Sequence, residues 1–336
     1  MSERIPYNRY PDFNQSIDED GENIVSISGY NFTPSESLYK LNYDNYKTAL
    51  EVYLDDDSEL VKEIYEDFPT PIAFYFYQAE ENYDNPHHRL DLLKSCWEAT
   101  VFVLFAIVVC EARHKNFPFN NLGIKLQDFY SDRLAIRLGI IENILESCTE
   151  GSFELKSAEI ISIESISKIL ELNRTRNEFS HSFASNPEQR KELYEQLKPE
   201  LIDVFRELRK LKTVNLFRYH SNAENVLWPR CDVFNGQSIS GAKRHIRMSL
   251  ADYQVILPYF NSGSIFCHID LDLVFNLSPY FHFKKEATDT HPVLLIHKKR
   301  QTGSKYLFEV LSYSQQIELP REEFEDRDND LRNLTI

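Results

Sequence analysis

The chain has 336 residues, 42% of them hydrophobic and 27% charged, and a formal net charge of -16. That length accommodates two domains, and the balance is that of a globular protein, not a disordered one. So large an acidic excess excludes a surface that binds nucleic acid throughout, yet residues 216–320 hold 11 Lys or Arg against 9 Asp or Glu, so a local basic groove fits.

Cys96, Cys110, Cys148, Cys231 and Cys267 form no CxxC pair and are odd in number. Neither a disulfide framework nor a zinc site is expected, and a reducing cytoplasm fits. No apolar run follows Met1–Pro6, so no signal peptide is read there. The apolar stretch from Ala99 to Cys110 has the length of a buried core helix, and no membrane segment is expected. No metal or cofactor is implied: His87 and His88 lack complementary ligand spacing, and Walker, GxGxxG, GxSxG and HExxH patterns are missing.

Residues 1–55 show no strong helical period and read as a loosely specified segment with a short strand at Ile24–Ile27. Asp57-Ser58-Glu59-Leu60-Val61 opens a short helix that Phe68-Pro69-Thr70-Pro71 stops. An aromatic-rich stretch, Ile72 to Gln78, then leads to a turn at Asn85-Pro86. Four long helices come next. The first, His88–His114, is apolar nearly all round in its second half, the pattern of a central buried helix. The second, Leu122–Cys148, carries Leu134, Leu138, Ile141 and Leu145 at helical spacing, with Gly139 as a local weak point. The third covers Ile163–Phe183, and the fourth Glu188–Leu211, where Pro199 is expected to kink or interrupt it.

Beyond Asn215 short apolar runs alternate with Gly, Asn, Ser and Pro; Ser264–Ile269, Val293–His297 and Tyr306–Leu311 read as strands. Lys299–Ser304 reads as a hairpin connection. The expected fold class is therefore α+β: a helical bundle over 56–215, a smaller β-rich domain over 216–320, and a mobile acidic tail over 321–336.

The most informative stretch is Leu172-Asn173-Arg174-Thr175-Arg176-Asn177-Glu178-Phe179-Ser180-His181. With its Arg, following polar residue and later His near the end of a third helix, it resembles the HEPN superfamily (higher eukaryote and prokaryote nucleotide-binding). The resemblance covers about residues 69–212, including Pro69-Thr70-Pro71-Ile72-Ala73 and the Arg89, Leu92, Leu93 and Glu98 entry to the apolar helix. It implies a metal-independent endoribonuclease of toxin–antitoxin or anti-phage type, working as a homodimer with an antitoxin or activating partner protein.

Metal-free RNA cleavage needs proton transfer at the ribose 2′-hydroxyl and the leaving 5′-oxygen, and a cation for the phosphorane. His181 is the expected acid or base, Arg176 the phosphate clamp, and Asn177 the residue that orients the ring. Arg174 and Ser180 are additional substrate contacts. Five residues place Arg176 and His181 about 140° apart on an ideal helix, which points to a site shared by two copies. Lys298, Lys299 and Arg300, with Lys243–Arg247, Lys284 and Lys285, are candidate phosphate contacts, and Tyr280, Phe281 and Phe283 candidate stacking platforms. The alternative is a non-catalytic HEPN-like module that binds a nucleotide, nucleic acid or partner protein.

Overall fold

The computed structural model describes residues 4–7, 13–14, 25–27, 30–32, 36–81, 86–149, 151, 153–181, 187–221, 227–260, 262–269, 273–284, 293–300, 305–311 and 316–335. They belong to two units, Met1–Lys62 and Glu63–Ile336. The architecture is α+β, with helices through the N-terminal and central parts and sheets toward the C-terminus.

In the first unit β1 (Val25–Ile27) pairs antiparallel with β2 (Tyr30–Phe32), and α1 (Glu36–Leu41) leads into α2 (Tyr43–Asp67). The strand expected at Ile24–Ile27 is present as β1, while α1 and α2 correct the loosely specified reading for residues 36–55. Tyr39, Tyr43 and Tyr46 recur at helical spacing and gather around Phe13 and Leu50. The Tyr39 and Tyr46 rings meet edge-on at 5.1 Å, a favoured aromatic geometry. The hydroxyl of Tyr39 donates to the Ile5 carbonyl at 2.8 Å, and that of Tyr43 accepts from the Ile5 amide at 2.8 Å. The short helix read from Asp57 is the later part of the long α2.

In the second unit the last carbonyls of α2 would be orphaned at its C-terminus. A loop of the β region satisfies them. Gly236 N donates to Phe68 O at 2.8 Å, Gln237 N to Tyr65 O at 2.8 Å, and Asn235 Nδ2 to Asp67 O at 2.6 Å. Gly236 holds φ +80, which glycine tolerates without steric cost.

Next come α3 (Thr70–Glu81), α4 (Pro86–His114), α5 (Leu134–Thr149), α6 (Ile163–His181) and α7 (Pro187–Glu207). Pro86 starts α4 at a position where a missing N–H costs nothing. Asn116, at φ 59, stands just beyond its end. Every residue from Ala99 to Arg113 is buried. Helices α3, α5 and α7 pack against α4 and so does a strand, which explains an apolar pattern on all sides. This helix is long and apolar enough to cross a membrane, but 78% of its most apolar stretch is buried inside the protein.

Two helix boundaries differ from expectation. Residues Phe119–Leu122 and Leu126–Tyr130 form 3-10 turns instead of opening α5, because Gly123 turns left-handed at φ 67 and the Asp128 carboxylate accepts from Lys125 N at 3.0 Å. Helix α7 runs through Pro199 without interruption. Losing one helical hydrogen bond costs about 3 kcal/mol, whereas buried Leu193, Leu197, Leu201 and Phe205 each contribute about 1.5–3 kcal/mol.

The β region forms two antiparallel sheets. One has the order β5 (Ala242–His245), β4 (Arg230–Val233), β3 (Val214–Ser221), β6 (Phe266–Ile269) and β7 (Leu273–Asn276). The other runs β11 (Gln316–Pro320), β10 (Lys305–Val310), β9 (Val293–Arg300) and β8 (Phe281–Lys284). β9 and β10 pair antiparallel as the hairpin reading requires; residues 301–304 lie outside the described residues. Helix α8 (Leu250–Ile256) packs on β7 and is capped by Ser249, whose Oγ accepts from Asp252 N at 3.1 Å.

The expected separation into a helical and a β-rich domain is corrected, since both belong to one unit. Arg113, at the end of α4, donates from Nη1 to Ser278 O at 2.5 Å and from Nη2 to Asn276 O at 2.6 Å. The Phe105 ring of α4 meets Tyr280 at 5.2 Å. Nor is the C-terminus a mobile acidic tail. α9 (Glu325–Leu334) packs on α4 and buries Leu331 and Asp328. The Asp328 carboxylate accepts hydrogen bonds from the Tyr130 and Tyr306 hydroxyls, with Arg321 Nε 3.3 Å away. Charge content alone misjudged a segment whose central acid is buried and bonded.

Two glycines should behave oppositely. A Cβ on Gly139, inside α5, would meet nothing within 4 Å, so Gly139→Ala should stabilise the chain by about 0.5–1 kcal/mol. A Cβ on Gly236 would lie 2.7 Å from Glu66 O at a positive φ, so Gly236→Ala should destabilise by about 1–3 kcal/mol. Urea unfolding of both variants checks this, and equal shifts would contradict the geometry.

Candidate functional site

The motif occupies the end of α6. Ile166 and Ile169 are fully buried and Leu172 nearly so, which defines the inner face of this helix. Arg176 stands seven residues after Ile169 and four after Leu172, the register of that face. His181 falls about 140° from it on an ideal helix, while Arg174 is about 20° from His181 and Asn177 one turn before it. The side chains of Arg174, Arg176, Asn177, Ser180 and His181 lie outside the described residues.

Beside the motif, Leu93, Lys94 and Trp97 of α4, Leu172 of α6, and Leu197 and Leu201 of α7 enclose an apolar crevice of about 20 Å³. A crevice of that size is too small for a substrate.

Lys298, Lys299 and Arg300 end β9, and their side chains also lie outside the described residues. β9 packs on β8, β10 and the turn at 126–130, whereas α6 packs on α5 and α7. The two expected groups of site residues therefore belong to elements with different neighbours. Tyr280, Phe281 and Phe283 are buried, which corrects their reading as base-stacking platforms: a base cannot reach rings that lie in the core.

The basic run on β5 stands differently. β5 is the edge of its sheet, and Lys243, Arg244 and His245 are all exposed. Arg230 is exposed opposite His245, and Arg247 lies 5.9 Å from the ring centre of Trp228, which is 45% exposed. Among the described residues, no carboxylate forms a salt bridge with Arg230, Lys243, Arg244 or Arg247. A cationic strip with an accessible indole is suited to phosphates and a stacked base. Trp228 went unnoticed in the sequence because nothing in its neighbourhood distinguishes an exposed ring from the many buried ones.

A second concavity lies where helices meet the sheet. A cleft of about 410 Å³ is lined by Glu98 and Phe102 of α4, Asp132 and Arg137 at the start of α5, His297 of β9 and Glu309 of β10. Arg137 is 7% exposed. Its guanidinium lies 4.6 Å from the Phe102 ring centre, and its Nε donates to Ser131 O at 3.0 Å. Burial lowers the Arg137 pKa to about 10, so it stays charged at neutral pH. Burial, and then the charge of Arg137, lower His297 to about 3, so it is neutral there. Among the described residues no group of three or more His, Cys, Asp or Glu is placed to hold a metal. Burial raises the Cys110 thiol above its ordinary value, which leaves it a poor nucleophile.

His297 and His282, the latter lowered to about 4 by burial and then by Arg218 and Lys284, should make the protein acid-sensitive. Both stay neutral in the folded state, while the unfolded chain takes up protons below about pH 6.5. Stability is therefore lost as pH falls from about 6.5 toward the folded values, at about 1 kcal/mol per pH unit for each histidine. His297→Gln should flatten the pH dependence of the urea midpoint between pH 6.5 and 4. An unchanged slope would contradict the burial of a neutral imidazole.

In comparisons with known proteins, no family model, no curated sequence and no solved structure matches the chain.

Proposed function

We propose that the chain is a metal-independent endoribonuclease of HEPN type, active as a homodimer. The observation that carries the reading is that Arg174, Arg176, Asn177, Ser180 and His181 fall together on the last turns of one helix, α6, packed between α5 and α7. In this reading His181 moves the proton of the ribose 2′-hydroxyl or of the leaving 5′-oxygen, and Arg176 holds the phosphate whose charge grows in the transition state. Asn177, one helical turn before His181, orients the imidazole. Arg174 and Ser180 add contacts to the backbone of the RNA.

The angular separation of Arg176 and His181 is met by two α6 helices facing one cleft, each supplying part of the constellation. The cationic strip of β5 with Trp228 supports single-stranded RNA as the partner, because the chain is otherwise strongly acidic. The same resemblance that suggests RNA cleavage suggests toxin–antitoxin biology or defence against phage, with a partner protein that neutralises or triggers the activity.

Arg176→Ala and His181→Ala should each reduce RNA cleavage by about 10²–10³-fold or more, from the loss of roughly 3–4 kcal/mol of transition-state stabilisation. Circular dichroism and melting temperature should stay near those of the unaltered protein. RNA binding should persist in both variants but weaken, with a shallower salt dependence, in Lys243→Glu/Arg244→Glu. Cleavage retained within tenfold in both motif variants would remove the catalytic assignment.

A further inference from the structure

Leu227, Trp228, Leu250, Leu257 and Phe260 are 40–56% exposed, and large apolar side chains gathered at such exposure mark an interaction surface. Residues 227–260, which contain all five, also hold Arg230, Lys243, Arg244 and Arg247, every one exposed. The two acids of that stretch, Asp232 and Asp252, are buried. Its solvent side is therefore apolar and cationic with no exposed carboxylate, in a chain whose formal net charge is -16.

Leu250 and Leu257, seven residues apart, share the outer face of α8 and the turn that continues it, where exposed Ala251, Gln254 and Pro258 add no charge. Tyr253 and Ile256 bury the inner face. The Met248 amide donates to the Leu227 carbonyl at 3.2 Å, which sets Leu227 and Trp228 beside the start of α8. The Phe260 ring lies 5.5 Å from that of Tyr219, whose hydroxyl is 3.0 Å from the hydroxyl of Tyr253. A helix that is apolar on both faces needs cover on both.

RNA gives no cover to aliphatic leucines, since its bases stack on aromatic rings. A second copy docked through the same face would set cations against cations. A protein partner would need a groove shaped to the convex outer side of a helix, whereas a fluid bilayer conforms to it. We infer that this face docks on a membrane surface of anionic phospholipid. Leu250, Leu257, Phe260 and Trp228 enter the boundary between headgroups and acyl chains, and Lys243, Arg244 and Arg247 meet the lipid phosphates. A peripheral contact of this kind needs no spanning helix. The acidic remainder of the chain turns away from the bilayer, and salt screens its repulsion beyond about 8 Å. This surface shares no residue with the α6 motif; it shares Lys243, Arg244 and Trp228 with the RNA strip, so lipid and RNA compete there.

The test is co-sedimentation of the full chain with vesicles of phosphatidylcholine alone, or of phosphatidylcholine with one third phosphatidylglycerol. The anionic vesicles should bind about tenfold more tightly or better. They should also shift tryptophan emission to the blue, a change that reports Trp228 because Trp97 is buried. Leu250→Ser/Leu257→Ser should weaken vesicle binding about tenfold or more, with melting temperature and RNA binding unchanged. Lys243→Glu/Arg244→Glu should remove the preference for anionic lipid. No binding to anionic vesicles, binding without the emission shift, or unchanged binding of the leucine variant would overturn the assignment. So would loss of RNA binding in the leucine variant, which gives the face to RNA, or an oligomer that dissociates in that variant without any vesicle binding, which gives it to a second copy.

Discussion

The anchoring of α4 to the sheet region through Arg113 is the constraint on which the rest of the second unit depends. About four turns of this helix, from Ala99 to Arg113, have no solvent face. Such a segment is stable only if neighbours cover it on all sides, and α3, α5, α7, α9 and β7 do so. The guanidinium of Arg113 ends the buried run by donating to the carbonyls of Asn276 and Ser278, groups that would otherwise be buried without partners. Tyr280, two residues on, then sits against Phe102 and Phe105. Helices and sheets thereby share one core.

That shared core determines where concave surface is left. Around Trp97 and Leu172 the helices leave only a crevice of about 20 Å³. Where α4 and α5 diverge to meet β9 and β10, side chains do not fill the joint, and Arg137 and His297 line the opening. On the far edge of the five-stranded sheet, β5 has no further strand to pair with among the described residues, and its exposed Lys243, Arg244 and His245 form the cationic strip. Charge on an edge strand also discourages pairing with another chain. Three candidate surfaces thus arise from three different kinds of incompleteness: a helix end, a layer joint and a sheet edge.

Much of this was legible in sequence. The all-round apolar pattern in the second half of His88–His114 marked α4 as the central helix, and the short apolar runs after Asn215 marked β6, β9 and β10. What stayed hidden depended on contacts far along the chain. Tyr39, Tyr43 and Tyr46 look like polar punctuation until Phe13 packs among them. The acidic C-terminus looks solvated until Asp328 meets the hydroxyls of Tyr130 and Tyr306. The separation into two domains failed for the same reason: Arg113 and Ser278 are 165 residues apart, and no local pattern announces their bond. Of the candidate sites, the motif was visible because its residues are neighbours in sequence. The Arg137 cleft was not, since its charged residues come from separate elements far apart in the chain.

The central claim is that the α6 motif cuts RNA without a metal, and the ends of the products test it most directly. Attack by the ribose 2′-hydroxyl on the adjacent phosphorus expels the 5′-oxygen, so purified protein incubated with RNA in excess EDTA should leave 2′,3′-cyclic phosphate and 5′-hydroxyl termini, readable by mass spectrometry. RNA that remains intact, or cleavage that requires added Mg²⁺ and leaves 5′-phosphates, would contradict it.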